Sequence, residues 1–331
     1  MSNPAPARGH EGSAVQVADN SSTARRRRGG AKGSPSRRGR GSAVQSKAAW
    51  ILSLPFLLLF SVFTAWPVIS SLYMSFTDIK ARDLRSPFAV SFVGLDNFAR
   101  VFGDETFRKA AFNTAYFVII GVPLTLGIAL AAALALDKGI TRFRTVFRVG
   151  YFTPVVTSIV AVAVVWRFLL QPDSGLVNTV LGWVGISGPD WLGSTTWSMP
   201  SLIAMASWRN FGTAMIIFLA GLQSVPLMLH EAAAIDGAST WQRFRHITLP
   251  LLRPTLLFVS ITTGVGYLQF FEEPLVMTRG GPLDSTISMS MYTYKQFGFG
   301  NYGFAAATSY VLFVIVVALT AAQFRIFRSN T

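Results

Sequence analysis

Three observations predict an all-α, polytopic membrane protein. Hydrophobic residues make up 51% of the 331-residue chain and charged residues only 13%, where a soluble domain carries about 25% charged. Mean hydropathy is +0.44. Long apolar runs recur six times, at residues 48–76, 110–136, 149–170, 201–222, 256–275 and 304–324, and a helix needs roughly 20 apolar residues to cross the hydrocarbon.

The chain before the first run is different in kind. Residues 1–48 hold ten Lys/Arg against Glu11 and Asp19, a net of +8 out of the whole chain's +14. They are rich in Ser, Gly, Ala, Pro and Arg, with almost nothing large and apolar to offset the entropy of ordering them. A disordered basic cytosolic tail is expected there, attracted to lipid headgroups rather than to nucleic acid. The second domain is then residues 49–328.

The first run contains no charge and exceeds a signal-peptide core of 7–15 residues, so it predicts an uncleaved span with Trp50, Trp66 and Tyr73 near the interfaces. Pro55 and Pro67 are tolerable near its ends and are candidate kinks. The second run is also uncharged. The third is interrupted late by Arg167, the fourth carries Arg209-Asn210 in its first half, and the fifth and sixth flank a Gly-rich loop.

Loop charge sets the orientation. With the N-terminus in the cytosol, inside segments collect nineteen Lys/Arg and outside segments eight. The contrast is sharpest between residues 137–148, with four, and residues 171–200, with none. Six spans return both termini to the cytosol, giving a multi-pass protein of the cytoplasmic membrane.

That orientation also places residues 226–254 in the cytosol: PLMLHEAAAIDGASTWQRFRHITLPLLRP. Glu231, Ala232 and Ala233 lie in a good helix-forming run. Asp236-Gly237 supplies a stop, with Gly237 able to take positive φ. Ser239 reads as an N-cap and Gln242 completes a capping box. Leu249-Pro250 and Arg253-Pro254 end the second helix and launch the next span.

From Glu231 to Pro250 the spacing is EAA-x3-G-x9-I-x-LP. This resembles the EAA loop of permease subunits in binding-protein-dependent ABC importers. Ala234 to Ser239, the segment 92–98 (FVGLDNF), Asn113-Thr114, the segment 278–282 (TRGGP) with Thr286, and the segment 175–178 (GLVN) are similar to the carbohydrate branch of that family, in its first-permease type. The resemblance covers about residues 48–328. Met228-Leu229-His230 and Arg279 depart from the usual pattern, and the basic tail is not a family feature.

The resemblance implies that Glu231, Ala232, Ala233, Asp236, Gly237, Ile247, Leu249 and Pro250, within the loop 226–250, couple the spans to separate cytosolic ATPase subunits. It also implies a second homologous permease, an extracellular solute-binding protein and a sugar or related polar solute. No G-x-x-x-x-G-K-[ST] occurs, so ATP hydrolysis belongs to a partner. No G-x-S-x-G or H-E-x-x-H occurs either, cysteine is absent and three histidines are scattered, so neither a hydrolase, a metal site nor any cofactor is expected. A channel or scaffold without an ATPase is the alternative.

Polar side chains within spans are costly and suggest a substrate path. Candidates are Tyr267, Gln269, Phe270, Glu272, Asn210 and Trp208. Gln269 and Glu272/Glu273 would share one helix face, and Trp208, Phe211, Tyr267 and Phe270 could stack on a sugar. Arg167, Arg209 and the glutamates are expected toward the outer boundary, where a docking protein could meet them.

Overall fold

The computed structural model describes residues 41–85, 90–138, 150–151 and 153–328. Among these every regular element is helical; the nearest approach to a strand is one antiparallel bridge, Thr77 to Phe92. Most of the tail, residues 1–40, and most of the loop 137–148 lie outside the described residues. The chain divides into two units, residues 1–59 and 60–331.

In the first unit, helix α1 (Gly41–Phe60) begins within the stretch expected to be disordered. Its apolar side chains from Trp50 onward are exposed, as a lipid-facing helix requires.

The second unit opens with a π turn (Ser61–Ala65) and α2 (Trp66–Ser75). The Trp66 N–H bonds back to Ser61 O, one residue further than in an α-helix. Pro67 follows at once, and the widened turn relieves the clash of its ring with the preceding turn. The candidate span is Trp50–Ser75.

A short connection leads to α3 (Asp96–Gly103), held by Asn97, whose buried amide donates to Ser75 O (3.0 Å) and Thr77 O (2.8 Å). Asp104 Oδ1 then accepts from Phe107 N (2.8 Å) and starts α4 (Glu105–Lys138). This 34-residue helix is about 51 Å long at 1.5 Å per residue.

Next come α5 (Ile159–Leu169), α6 (Leu176–Trp183) and α7 (Ser198–Gln223). The third expected span, 149–170, is interrupted: residues 153–156 are helical, the chain breaks at Thr157–Ser158, and the apolar helix after the break has 11 residues, about 16 Å. Thr157 turns its hydroxyl to Thr153 O (2.9 Å), and Ser158 adopts an extended conformation with ψ 128°. Hydroxyl-bearing and β-branched residues weaken a helix in this way.

After α7 the chain forms α8 (Leu227–Ile235), α9 (Thr240–Arg243), a second π turn (Phe244–Thr248), α10 (Leu249–Leu251) and α11 (Arg253–Leu268). The segments Thr240–Leu251 and Arg253–Leu268 meet at a 67° bend. Of the two expected stops the helix passes Leu249-Pro250 and ends at Leu252, directly before Arg253-Pro254, because Leu249 N–H reaches back to Phe244 O and the wide turn carries the helix past Pro250. Both π turns stand immediately before an X-Pro pair.

The fifth expected span, 256–275, is also interrupted. Helix α11 stops at Leu268, and Phe271 (φ −144°, ψ −49°) starts the separate helix α12 (Glu272–Met277). Pro274 is the reason: in an unbroken helix it would leave Phe270 O without a donor and crowd that carbonyl. The chain ends with α13 (Met289–Gly298) and α14 (Tyr302–Arg328).

Among the described residues four helices are long and apolar enough to cross a membrane, or five when the bent pair counts as one. The interior is built on α4, α7 and α11. Ala129, Ala133 and Ala214 are buried between them, small side chains that let helix backbones approach closely. Around Gly121 the approach is tighter still: an added Cβ would sit 2.8 Å from the Tyr267 ring. A second layer joins α3, α4, α13 and α14 through Val101, Phe107, Met291, Tyr292 and Phe304. Asn113 donates to Asp284 O (2.9 Å) and Ile287 O (3.0 Å), and Thr114 Oγ1 accepts from Met289 N (3.1 Å). That pair therefore fastens the 278–288 loop to α4.

Candidate functional site

The segment between α7 and α11 folds as its residues dictate. Asp236 N bonds to Ala232 O (3.0 Å), Gly237 N to Ala234 O (3.1 Å) and Ala238 N to Ala233 O (2.9 Å). The last two are the paired bonds of a Schellman stop, which requires a left-handed residue between them. Gly237 fills that place with φ +77°. Ser239 N then donates to Gln242 Oε1 (2.7 Å) while Gln242 N donates to Ser239 Oγ (3.3 Å), a reciprocal capping box.

The two helices enclose a cavity of about 350 Å³ whose wall includes Ala233, Asp236, Gly237, Arg243 and Ile247. Arg243 Nε is buried there without a hydrogen-bond partner. Glu231 and Ala232 stand outside the cavity, exposed on α8. Met228 is 75% exposed, Ile235 87% and Trp241 66%. An apolar face so open, on a helix that carries a glutamate and several alanines, is a surface awaiting contact. Leu249 and Pro250 are half-buried in the connection to α11. Beside them Leu252 is fully buried among α4 and α7, and an added Cβ at Gly221 would meet Leu252 and Thr255 at 2.8 and 2.7 Å. The loop is therefore seated directly on the spans.

A second cavity, of about 340 Å³, lies between α7, α11 and the break before α12. It gathers Asn210, Tyr267, Gln269, Phe270 and Glu272 from the expected path. Arg209 and Glu273, read from the sequence as polar residues within spans, are on the same wall, as are Thr213 and Thr262. The threonines were not legible, since a lone hydroxyl in an apolar run carries no signal of direction. Gln269 and Glu272 are brought together by the chain break and not by a shared helix face, which corrects that expectation. Glu273 is 5% exposed, and its Oε2 and the Nε of Arg209 have no hydrogen-bond partner.

Two of the gathered residues are largely committed to packing. Tyr267 OH lies 2.8 Å from Thr125 Oγ1, which is 3.0 Å from Ser207 Oγ. The Phe270 ring stacks on Phe117 at 3.9 Å with 5° between planes. Trp208 is not part of this cavity. Its ring faces Trp166 at 5.8 Å, beside a separate apolar cavity of about 610 Å³. Phe211 likewise packs inward, edge-on to Tyr151 at 5.5 Å. Arg167 is elsewhere again, donating to Val276 O (3.4 Å).

A bundle of spanning helices with a capped, exposed helix pair on one side and a polar cavity within is the arrangement of a transport permease. The chain belongs to the family described as "Binding-protein-dependent transport system inner membrane component", whose profile matches residues 121–326. It is 35% identical over 281 residues to the lactose transport system permease protein LacF of Rhizobium radiobacter, covering 83% of this chain and 92% of that one. To the trehalose/maltose transport system permease protein MalF of Thermococcus litoralis it is 32% identical over 287 residues, covering 86% and 95%. Among solved structures, a chain of the bacterial alginate ABC transporter in complex with its alginate pentasaccharide-bound periplasmic protein superposes with a TM-score of 0.73 at 25% identity, covering 88% of this chain and 97% of that one.

Proposed function

We propose that this chain is one of two homologous permease subunits of an ATP-driven importer that moves a sugar or related polar solute into the cell. The observation that carries the reading is the exposed α8–α9 pair, closed by a Schellman stop and a capping box and seated on α4 and α7 through Leu252. It offers a rigid apolar surface to a cytosolic ATPase, and the chain's own sequence contains no phosphate-binding loop. Glu231, Ala232, Ala233, Asp236 and Gly237 form the contact; Ile247, Leu249 and Pro250 pass its motion to α11. Relatives named for lactose and for trehalose and maltose support a carbohydrate cargo.

In this reading six crossings, the third and fifth of them broken, put both termini in the cytosol. The cavity at Asn210, Gln269 and Glu272 lies on the solute's path, reached from an extracellular solute-binding protein, and the two subunits alternate between outward and inward access. Purification in mild detergent tests the assembly. Co-elution of an ATPase and a second protein carrying the EAA spacing is expected. Elution of this chain alone, under conditions that hold other complexes together, would favour a channel or scaffold.

A further inference from the structure

The short helix α6 presents its faces the wrong way round for a water-bathed loop. Leu176, Val180, Trp183 and Val184 recur at helical spacing and are 58%, 44%, 77% and 70% exposed. Its inward side carries the polar anchor: Asn178 donates to Pro172 O (2.9 Å) and Pro189 O (3.2 Å) and accepts from Trp191 Nε1 (2.6 Å), while Val177 packs on the main core. From Ser174 to Pro189 no residue is charged. A helix whose polar edge is tied to protein and whose apolar edge is open does not fit water on that edge.

What meets the open edge follows from its neighbours. Helix α6 packs against α5, whose Val160, Val164 and Phe168 form an exposed apolar stripe at a spacing of four, the surface a span turns to lipid. Only six residues separate the two helices, so α6 begins where α5 leaves the hydrocarbon. Trp183, the most exposed member of the stripe, is of the residue type enriched at that depth.

We propose that Leu176–Trp183 lies flat in the interfacial zone of the bilayer, with its Leu176, Val180, Trp183 and Val184 stripe turned into the acyl boundary and Asn178 turned to the protein. The apolar face of such a helix is buried about 5–10 Å into the headgroup/acyl boundary. The partner is the lipid surface, and the helix fixes the depth of the short span before it.

The chain contains no cysteine, so it can be purified, labelled at a single introduced site and then returned to its unlabelled partner subunits. Val180→Cys, Trp183→Cys and, as a control beyond the stripe, Ser187→Cys would each carry a nitroxide. The full chain, in the complex with which it purifies, would be reconstituted in phosphatidylethanolamine–phosphatidylglycerol vesicles. The expected result is a ratio of oxygen to nickel-chelate accessibility several-fold higher at 180 and 183 than at 187. Equal ratios at all three would show the stripe in water. Exclusion of both reagents from 180 and 183 would show it covered by another protein. Either overturns the proposal. An unlabelled check uses brominated lipid: Trp183→Phe should remove part of the tryptophan quenching seen in the wild type, and unchanged fractional quenching would count against a lipid contact.

Discussion

Gly237 isolates the conformational requirement of the α8–α9 turn from every other effect. Apart from Gly237 and its two chain neighbours, no heavy atom lies within 4 Å of the position its Cβ would occupy, so a substitution meets no tertiary obstacle and acts through the backbone. With φ at +77°, an L-residue held there costs about 1–2 kcal/mol. That lowers the ratio of closed to open turn roughly 5–30-fold. Asn tolerates the left-handed region better than Ala, and β-branched Val worse. The order of damage should therefore be Asn, Ala, Val. The assay is ATP hydrolysis and solute uptake on the same proteoliposomes. Uptake per ATP should fall along that order, by at most about 5–30-fold for Gly237→Ala, while the amount of inserted chain stays constant because the turn lies outside the spans. Ala and Val variants that transport like the wild type would refute the coupling role. An Asn variant as damaged as Val would refute the backbone argument.

Other outcomes follow from separate contacts. Glu231→Ala removes an exposed carboxylate without touching a span, so ATP hydrolysis should persist while uptake falls, measured on the same vesicles. Ser239→Ala deletes half of the capping box and should cost about 1 kcal/mol, read as faster amide exchange at residues 240–243. Phe117→Ala empties a fully buried site stacked on Phe270 and set edge-on to Tyr267 at 5.0 Å; a loss of about 3–5 kcal/mol is expected, seen as a lowered unfolding temperature in detergent. Thr125→Val leaves the Tyr267 and Ser207 hydroxyls without their shared partner and should cost about 1–3 kcal/mol, measured in the same unfolding assay.

How much the chain disclosed in advance depended on whether the signal was local. The Gly237 stop and the Ser239–Gln242 cap were legible because both depend on residues within a few positions of one another. The second and fourth spans were legible because their apolar runs are long enough to remain single helices, the second even across Pro123. The third and fifth runs looked equally apolar, yet Thr157 and Pro274 break them, since hydropathy weighs transfer to lipid and says nothing of a missing N–H or a competing hydroxyl. At the cavity, chemical type found Asn210, Gln269 and Glu272. It misjudged Trp208, because the direction in which an aromatic points is decided by the packing of α5 against α7. It also offered no means of seeing that Tyr267 and Phe270 would be held by Thr125 and Phe117, residues about 140 and 150 positions away.

The π turn at Phe244–Thr248 holds one residue of slack in the only covalent path from the exposed helix pair to α11. Removing a single residue from it would restore ordinary winding and turn everything on its far side by about 100° about the helix axis, aiming the Glu231 surface away from its present bearing while leaving its chemistry intact. Length in this segment acts as an angle setting. A homologous loop that keeps EAA-x3-G but has one residue more or fewer between Gln242 and Pro250 would present the same side chains to a different partner geometry.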